Sequence, residues 1–271
     1  MTRPIRIAAQ ISPISAPDYR QWRDVVLRAE DAGVDIILGY DHFLAPTVQG
    51  LDDSGRPVLD DVQKPMSNFE GWTALAAWAE MTRRAEIGLL VSGAGFRNPD
   101  LLADMARTID HISDGRLILG LGAGWYESDY QVYGYDFGTA ASRHEVFVDA
   151  LERIGRRMPQ LTPPPVRKIP VLIGGGGERR TIPTAARFAD IWHVAVEPGP
   201  FARKDEVLRH SADAIGRDHN DIERAVKWFN SSSAEALAKA GATLFTVTVT
   251  ALTDFDLTEL RDALSWRDAR R

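Results

Sequence analysis

The chain contains no cysteine. Disulfides, thiolate metal sites, iron–sulfur clusters and a cysteine nucleophile are therefore excluded. It also lacks any run approaching the ~20 apolar residues of a membrane span. The opening MTRPIRIAAQIS holds too short an apolar stretch for a signal peptide. The expectation is a soluble cytoplasmic protein. Positive charge is in short supply: 32 Lys and Arg against 38 Asp and Glu leave a formal net charge of −6. That argues against nucleic acid or an anionic membrane as the main partner, because either favours a basic face; a small-molecule substrate is the expected partner. No two of the 6 histidines stand in H-E-x-x-H spacing, so no metal site is expected. There is no G-x-S-x-G nucleophile elbow. GLGAGW, residues 120–125, begins like the dinucleotide fingerprint G-x-G-x-x-G. Its third glycine position, however, holds Trp125 counted from Gly120, or Glu127 counted from Gly122.

What is present is alternation. Short apolar runs of strand length are followed by segments of helical spacing, about eight times in roughly 250 residues. The predicted strands are 5–12, 35–40, 85–93, 116–125, 169–177, 190–196, 225–229 and 243–249, the seventh being the weakest. In the first helix Trp22, Val25, Val26 and Ala29 share one face and Gly33 ends it. Asn98 caps the third helix with Pro99 at its first position, and Leu102, Met105, Ile109 and Ile112 form its apolar face. Capping boxes are predicted at Ser67 with Glu70, Ser142 with Glu145, and Ser232 with Glu235. The fold class is α/β, a (β/α)8 TIM barrel forming one domain over residues 1–271. A doubly wound parallel sheet is the alternative. Pro163, Pro164 and Pro165 read as a stiff loop.

In such a barrel function sits at the C-terminal ends of the strands. There the chain places Asp41 and His42, then Ser92 and Gly93, then Gly122 to Trp125, then four glycines, then Trp192 and His193. The stretch GGGGERR, with Gly174, Gly175, Gly176 and Gly177, exposes backbone N–H groups before a helix, as a phosphate site does. Arg179 and Arg180 add charge-assisted bonds. The plain alternative is a tight turn with its arginines in solvent. Gly122, Ala123 and Gly124 admit close approach of a planar ligand or a neighbouring strand, or simply tight barrel packing. His42 is either an acid/base or hydrogen-bonding group at a redox site, or a structural histidine with Asp41 capping its loop. His193 reads as core beside Trp192, and His111, His144, His210 and His219 as surface or capping residues. The acidic pairs Asp52 with Asp53 and Asp60 with Asp61 read as a solvated face, on a loop from 44 to 65 long enough to act as a lid.

The block IGLLVSGAGFRNPDLLADMARTIDHISDGRLILGLGAGWYESDYQVYGYDFG, residues 87–138, together with YDHF, Arg143 with Glu145, and PVLIGGGGERRTIPTAARFADIW, resembles the luciferase-like monooxygenase superfamily, in particular its coenzyme F-420 (deazaflavin) dependent oxidoreductases. The resemblance implies a barrel, commonly a homodimer, that binds a deazaflavin or flavin at its strand ends. The ring would rest on a third-strand bulge within Leu90, Val91 and Ser92, often with a non-prolyl cis peptide. Asp41 and His42 would lie beside the ring, and residues 174–177 near the phosphate-bearing tail. Glu127 falls near a catalytic acid of some relatives. The implied activity is hydride transfer between coenzyme F-420 and an organic substrate. The alternatives are an FMN-dependent monooxygenase and a cofactor-binding barrel without turnover. One departure is the short segment RRMPQLTPPPVRK before the fifth strand, where relatives carry a longer excursion.

Overall fold

The computed structural model describes residues 3–44, 46, 48–52, 57–59 and 68–271. Eight strands form the barrel: β1 (Arg6–Ile11), β2 (Ile36–Gly39), β3 (Glu86–Leu89), β4 (Leu117–Gly122), β5 (Val171–Gly174), β6 (Ile191–Val194), β7 (Glu223–Lys227) and β8 (Leu244–Val249). Each pairs in parallel with the next, and β8 pairs with β1. This closed ring excludes the doubly wound sheet, which has two edges. Strand β7 begins two residues before its predicted start, because its first residues are charged and hide the apolar pattern. Glu223 is nevertheless buried against Arg6, and Arg224 against Asp205 at 2.8 Å. Across the same strand ends Arg6 reaches Glu86 at 2.5 Å, which also takes Arg167 at 2.5 Å. Among the described residues no helix is long and apolar enough to cross a membrane.

Nine helices are described: α1 (Tyr19–Asp31), α2 (Gly71–Met81), α3 (Pro99–Ile112), α4 (Glu127–Val132), α5 (Ala140–Arg157), α6 (Thr181–Phe188), α7 (Pro198–Asp213), α8 (Ser231–Lys239) and α9 (Thr258–Asp268). Strand residues alternate between two cores. Ala8, Ile36, Leu38, Ile118, Leu172 and Leu244 fill the barrel, while Ile7, Ile37, Trp192 and Phe245 face outward onto the helices. The buried face of α1 is Trp22, Val25, Val26 and Ala29, as its spacing dictates. Asn98 caps α3 by accepting from Asp100 N at 2.9 Å, with Pro99 in the first turn.

Other caps differ from the expectation. Thr139, not Ser142, caps α5. Ser142 sits three residues in and completes the box from inside, the two side chains exchanging backbone bonds of 3.1 and 2.9 Å. Asn230 caps α8 in place of Ser232. In both, the helix starts earlier than apolar periodicity shows, because its first turn opens on small residues, Ala and Ser, that carry no periodic pattern. Glu70 caps α2, while Ser67 lies outside the described residues. So do Asp53, Asp60 and Asp61, and with them most of the two acidic pairs. Within the loop from 44 to 65, Val48–Leu51 and Pro57–Leu59 pair antiparallel. The proline loop is tied to α3: His111 Nε2 donates to Pro164 O at 2.8 Å, and Asp110 accepts from Val166 N at 2.8 Å.

The third strand breaks where the site begins. Gly88 pairs with Ile118 but Ser92 with Leu121, so four steps on one strand lie against three on the other. The extra residue is a β-bulge, and the Leu90-Val91 peptide within it is cis. Neighbouring glycines make room for it. A Cβ on Gly122 would sit 2.7 Å from Val91 Cγ2 and one on Gly174 3.1 Å from Val91 Cγ1, while one on Gly120 would run into the Leu89 carbonyl. Gly120 and Gly122 of GLGAGW thus serve a neighbouring strand, one of the readings their spacing allows, while Gly124 makes room for the Tyr130 hydroxyl.

Candidate active site

A cleft of about 1640 Å³ opens over the C-terminal strand ends. Pockets for one drug-sized ligand span ~300–1,000 Å³, so this cleft is larger than one such ligand needs. Asp41, His42, Leu90, Val91, Gly122, Ala123, Gly124, residues 174–177 and Arg179 all line it. Two predicted residues do not. Ser92 is fully buried beneath the floor, where its hydroxyl accepts from Trp72 Nε1 at 2.7 Å. Glu127 is exposed on the outer side of α4 and accepts from Gln131 at 3.0 Å.

The acid that reaches His42 is Asp129. Residues two apart on a helix point to nearly opposite sides, whereas Asp129 follows the buried Tyr126 by three and shares its face. Asp129 is fully buried. Its Oδ2 lies 2.6 Å from His42 Nδ1, and its Oδ1 accepts from Phe43 N at 3.0 Å and Leu44 N at 2.8 Å. A carboxylate that only accepts assigns the proton to Nδ1. Neutral His42 then presents the Nε2 lone pair to the cleft, and protonated His42 an Nε2–H. Its ring is enclosed by Trp125 and Tyr126, with centroids 5.5 and 6.0 Å away, and by Tyr40 at 6.1 Å. Burial pushes the Tyr40 phenol up to about 12, so it stays protonated.

Asp41 does not cap the loop. Its carboxylate is 1% exposed and receives Arg97 in a bidentate pair, at 2.6 and 3.0 Å. Ser92 bonds to it from below, and Arg97 continues to Glu70, which caps α2. Burial raises the Asp41 carboxyl, against the pull of Arg97. Asn68 donates to the His42 carbonyl. Arg97 and Asn68 carried no sequence signal as site residues, since their partners lie far along the chain. Arg143, which also lines the cleft, donates to the carbonyls of Gly124 (3.2 Å) and Phe137 (3.1 Å) and stacks 3.7 Å from the Phe137 ring. This guanidinium thus ties together the two ends of the segment that contains α4 and Asp129.

His193 faces the cleft, because alternation sends Trp192 outward to stack on Phe201. His144 also lines the cleft instead of the surface. His193 Nε2 bonds to Thr246 Oγ1 at 2.9 Å, and that hydroxyl donates on to Val226 O. Burial, with the charge of Lys227, lowers its pKa to about 4. The unfolded chain then binds more protons between about pH 6.5 and 4, so stability is complete above that window and lost as pH falls through it. The expected loss is about 3 kcal/mol by pH 4. His193→Gln keeps a donor without titrating, and urea unfolding from pH 7 to 4 should show a flatter slope for it. Equal slopes would refute this.

The comparisons agree with this architecture. The family model described as luciferase-like monooxygenase matches residues 2–267. A phthiodiolone/phenolphthiodiolone dimycocerosates ketoreductase of Mycobacterium tuberculosis is 31% identical over 183 residues, 60% of this chain and 48% of the relative. The chain thus spans about half the length of the curated relatives it matches. An F420-dependent secondary alcohol dehydrogenase, solved with an F420-acetone adduct, superposes with TM-score 0.80 at 16% identity, covering 99% of this chain and 100% of that one. The coenzyme F420 dependent tetrahydromethanopterin reductase of Methanopyrus kandleri gives 0.68 at 15%, covering 97% and 98%.

Proposed function

The chain belongs to the luciferase-like monooxygenase family of oxidoreductases, and from that membership we propose that it moves a hydride between coenzyme F-420 and a ketone or secondary alcohol. The observation that carries the proposal is the pair of His42 and Asp129, which aims one imidazole nitrogen into a cleft larger than one drug-sized ligand needs. The F420 dependence of the two structures matched along their whole length, and the ketoreductase activity of the curated relatives, support the cofactor and the substrate class.

The residues present fit such a cofactor. Leu90 and Val91 of the bulge, with Gly122, Ala123 and Gly124, line a wall of the cleft against which a flat ring would rest. Gly175 N already donates to the His193 carbonyl at 2.9 Å, so Gly176 and Gly177 are the glycines whose N–H groups a phosphate would meet; a Cβ on Gly177 would come 2.9 Å from Thr181 Oγ1. Arg179 and the buried Lys204 supply positive charge beside it. Bound deazaflavin supplies the hydride, or accepts it in the reverse direction. His42 Nε2 gives a proton to the substrate oxygen in reduction and takes it back in oxidation, while Asp129 holds the ring's tautomer and angle. Trp125 and Tyr126 restrict water around that nitrogen.

Titration with coenzyme F-420 and separately with FMN, read by tryptophan fluorescence, tests the proposal. Trp125 lines the cleft and is 37% exposed, so quenching by F-420 is expected. Tight FMN binding with no F-420 binding would move the protein to the flavin monooxygenases. Absence of turnover with every ketone and secondary alcohol tried would remove the substrate class.

A further inference from the structure

Lys204, on α7, is only 1% exposed. A buried ammonium needs a counter-charge, since taking it out of water unpaired is costly. Its Nζ donates to the Gly176 carbonyl at 2.7 Å and lies 3.3 Å from Glu178 Oε1. Arg203 converges on the same oxygen, 3.0 Å from Nε and 2.8 Å from its terminal nitrogen. Among the described residues no other carboxylate bridges Lys204. All three side chains line the cleft beside the glycine turn. The contact with Lys204 chiefly holds the Glu178 carboxyl below its ordinary value, so it is charged at neutral pH.

A carboxylate therefore already sits on the cations that a phosphate at the glycine turn would use. Both cannot hold them, because like charges sharing one small seat repel strongly away from bulk water. The two partners differ in freedom: the Lys204 side chain is 2% exposed and packed, whereas that of Glu178 is 34% exposed and follows four glycines. Arg179 and Arg180, both exposed, stand next to it in the chain and can receive its charge outside the cleft.

We infer that Glu178 is a placeholder: its carboxylate neutralises Lys204 while the anion seat is empty and swings out when a phosphate-bearing ligand enters. The inference rests on the proposal that the glycine turn takes a phosphate. It makes Glu178 a specificity residue. A tetrahedral phosphate can meet Lys204, Arg203 and the glycine N–H groups at once, whereas a planar carboxylate merely exchanges for that of Glu178, so the seat selects phosphates.

Thermal unfolding of the ligand-free protein with inorganic phosphate, and with acetate at matched ionic strength, tests this in wild type, Glu178→Gln, Glu178→Asp and Lys204→Met. Without phosphate, Glu178→Gln should melt below wild type, because Lys204 loses its counter-charge. Phosphate should recover that loss, with half-saturation at a concentration on the order of tenfold lower than in wild type. Glu178→Asp, with a shorter reach, should fall between the two, and it carries the test alone if the glutamine variant does not fold. Lys204→Met should lose the phosphate response, and acetate should act weakly on wild type. Phosphate binding that is unchanged or weaker in both Glu178 variants overturns the placeholder, and a phosphate response in wild type then leaves the seat standing. No response to phosphate in any protein, wild type included, removes the seat and the placeholder together.

Discussion

Replacing His42 with alanine should lower turnover by about 10²- to 10⁴-fold, the range of a positioned proton-transfer group, and leave the barrel folded. The ring lines the cleft on a connection beyond β2, not in a core layer. Its loss leaves Asp129 with two backbone donors, Phe43 N and Leu44 N, so the buried carboxylate is not stranded. Cofactor affinity should change by no more than a few-fold, because the phosphate cradle lies across the barrel on β5. Asp129→Asn provides the companion measurement. An amide in place of the carboxylate cannot accept at all three of its present contacts, so the imidazole loses its fixed orientation while remaining in place. Its kcat should fall by about 10²-fold with KM little moved. The check is steady-state kinetics with reduced F-420 and a ketone, beside a fluorescence titration of the cofactor. Unchanged turnover in His42→Ala would remove His42 from the chemistry. Equal losses of cofactor affinity and turnover would make it a ring-positioning residue instead.

The largest effect on stability should come from Arg97→Met. The guanidinium pairs with a carboxylate that is 1% exposed, and removing one partner of a buried pair costs about 3–5 kcal/mol because the other is left charged and dry. For a chain of this size that is a fall in melting temperature on the order of 10 °C. The sign of the pH dependence is a second check. Burial already raises the Asp41 carboxyl, and without Arg97 it takes a proton more readily. The folded variant then binds more protons than the unfolded chain, so its penalty shrinks as pH is lowered. The double variant Arg97→Met with Asp41→Asn should recover much of the loss, since asparagine retains a neutral acceptor for Ser92. Thermal unfolding of Arg97→Met, Asp41→Asn and the double variant at pH 7 and pH 5 decides this. Losses that simply add would mean that the two side chains do not act as a pair.

Both predictions turn on contacts that differ in legibility. The YDHF motif placed Asp41 and His42 at a strand end, and they are there. Their partners were not readable. Arg97 lies 56 residues from Asp41 and Asp129 lies 87 from His42. Periodicity reports which face of its own element a residue takes; it says nothing of which distant element will stand opposite. Glu127 shows the cost. Motif likeness pointed to the right turn, but helical geometry sends the residue two positions later inward, onto the His42 ring. His193 shows the reverse: its neighbour Trp192 marked the strand as core, while strand alternation left the histidine on the other side.

Local chemistry determined the strands, the start of α3 and the order of units, because each depends on residues within a few positions: apolar runs, Asn98 before Pro99, Gly33 after α1. The glycines at 120, 122 and 174 were visible too, though not their purpose. Only closure of the barrel decided that. It brings β3, β4 and β5 side by side, so that a residue inserted in one strand must be accommodated by missing side chains in the other two. Closure likewise set the pair of His42 and Asp129 and the seat of Lys204 and Glu178, since each joins groups whose approach follows from the ring of eight strands and from no local pattern.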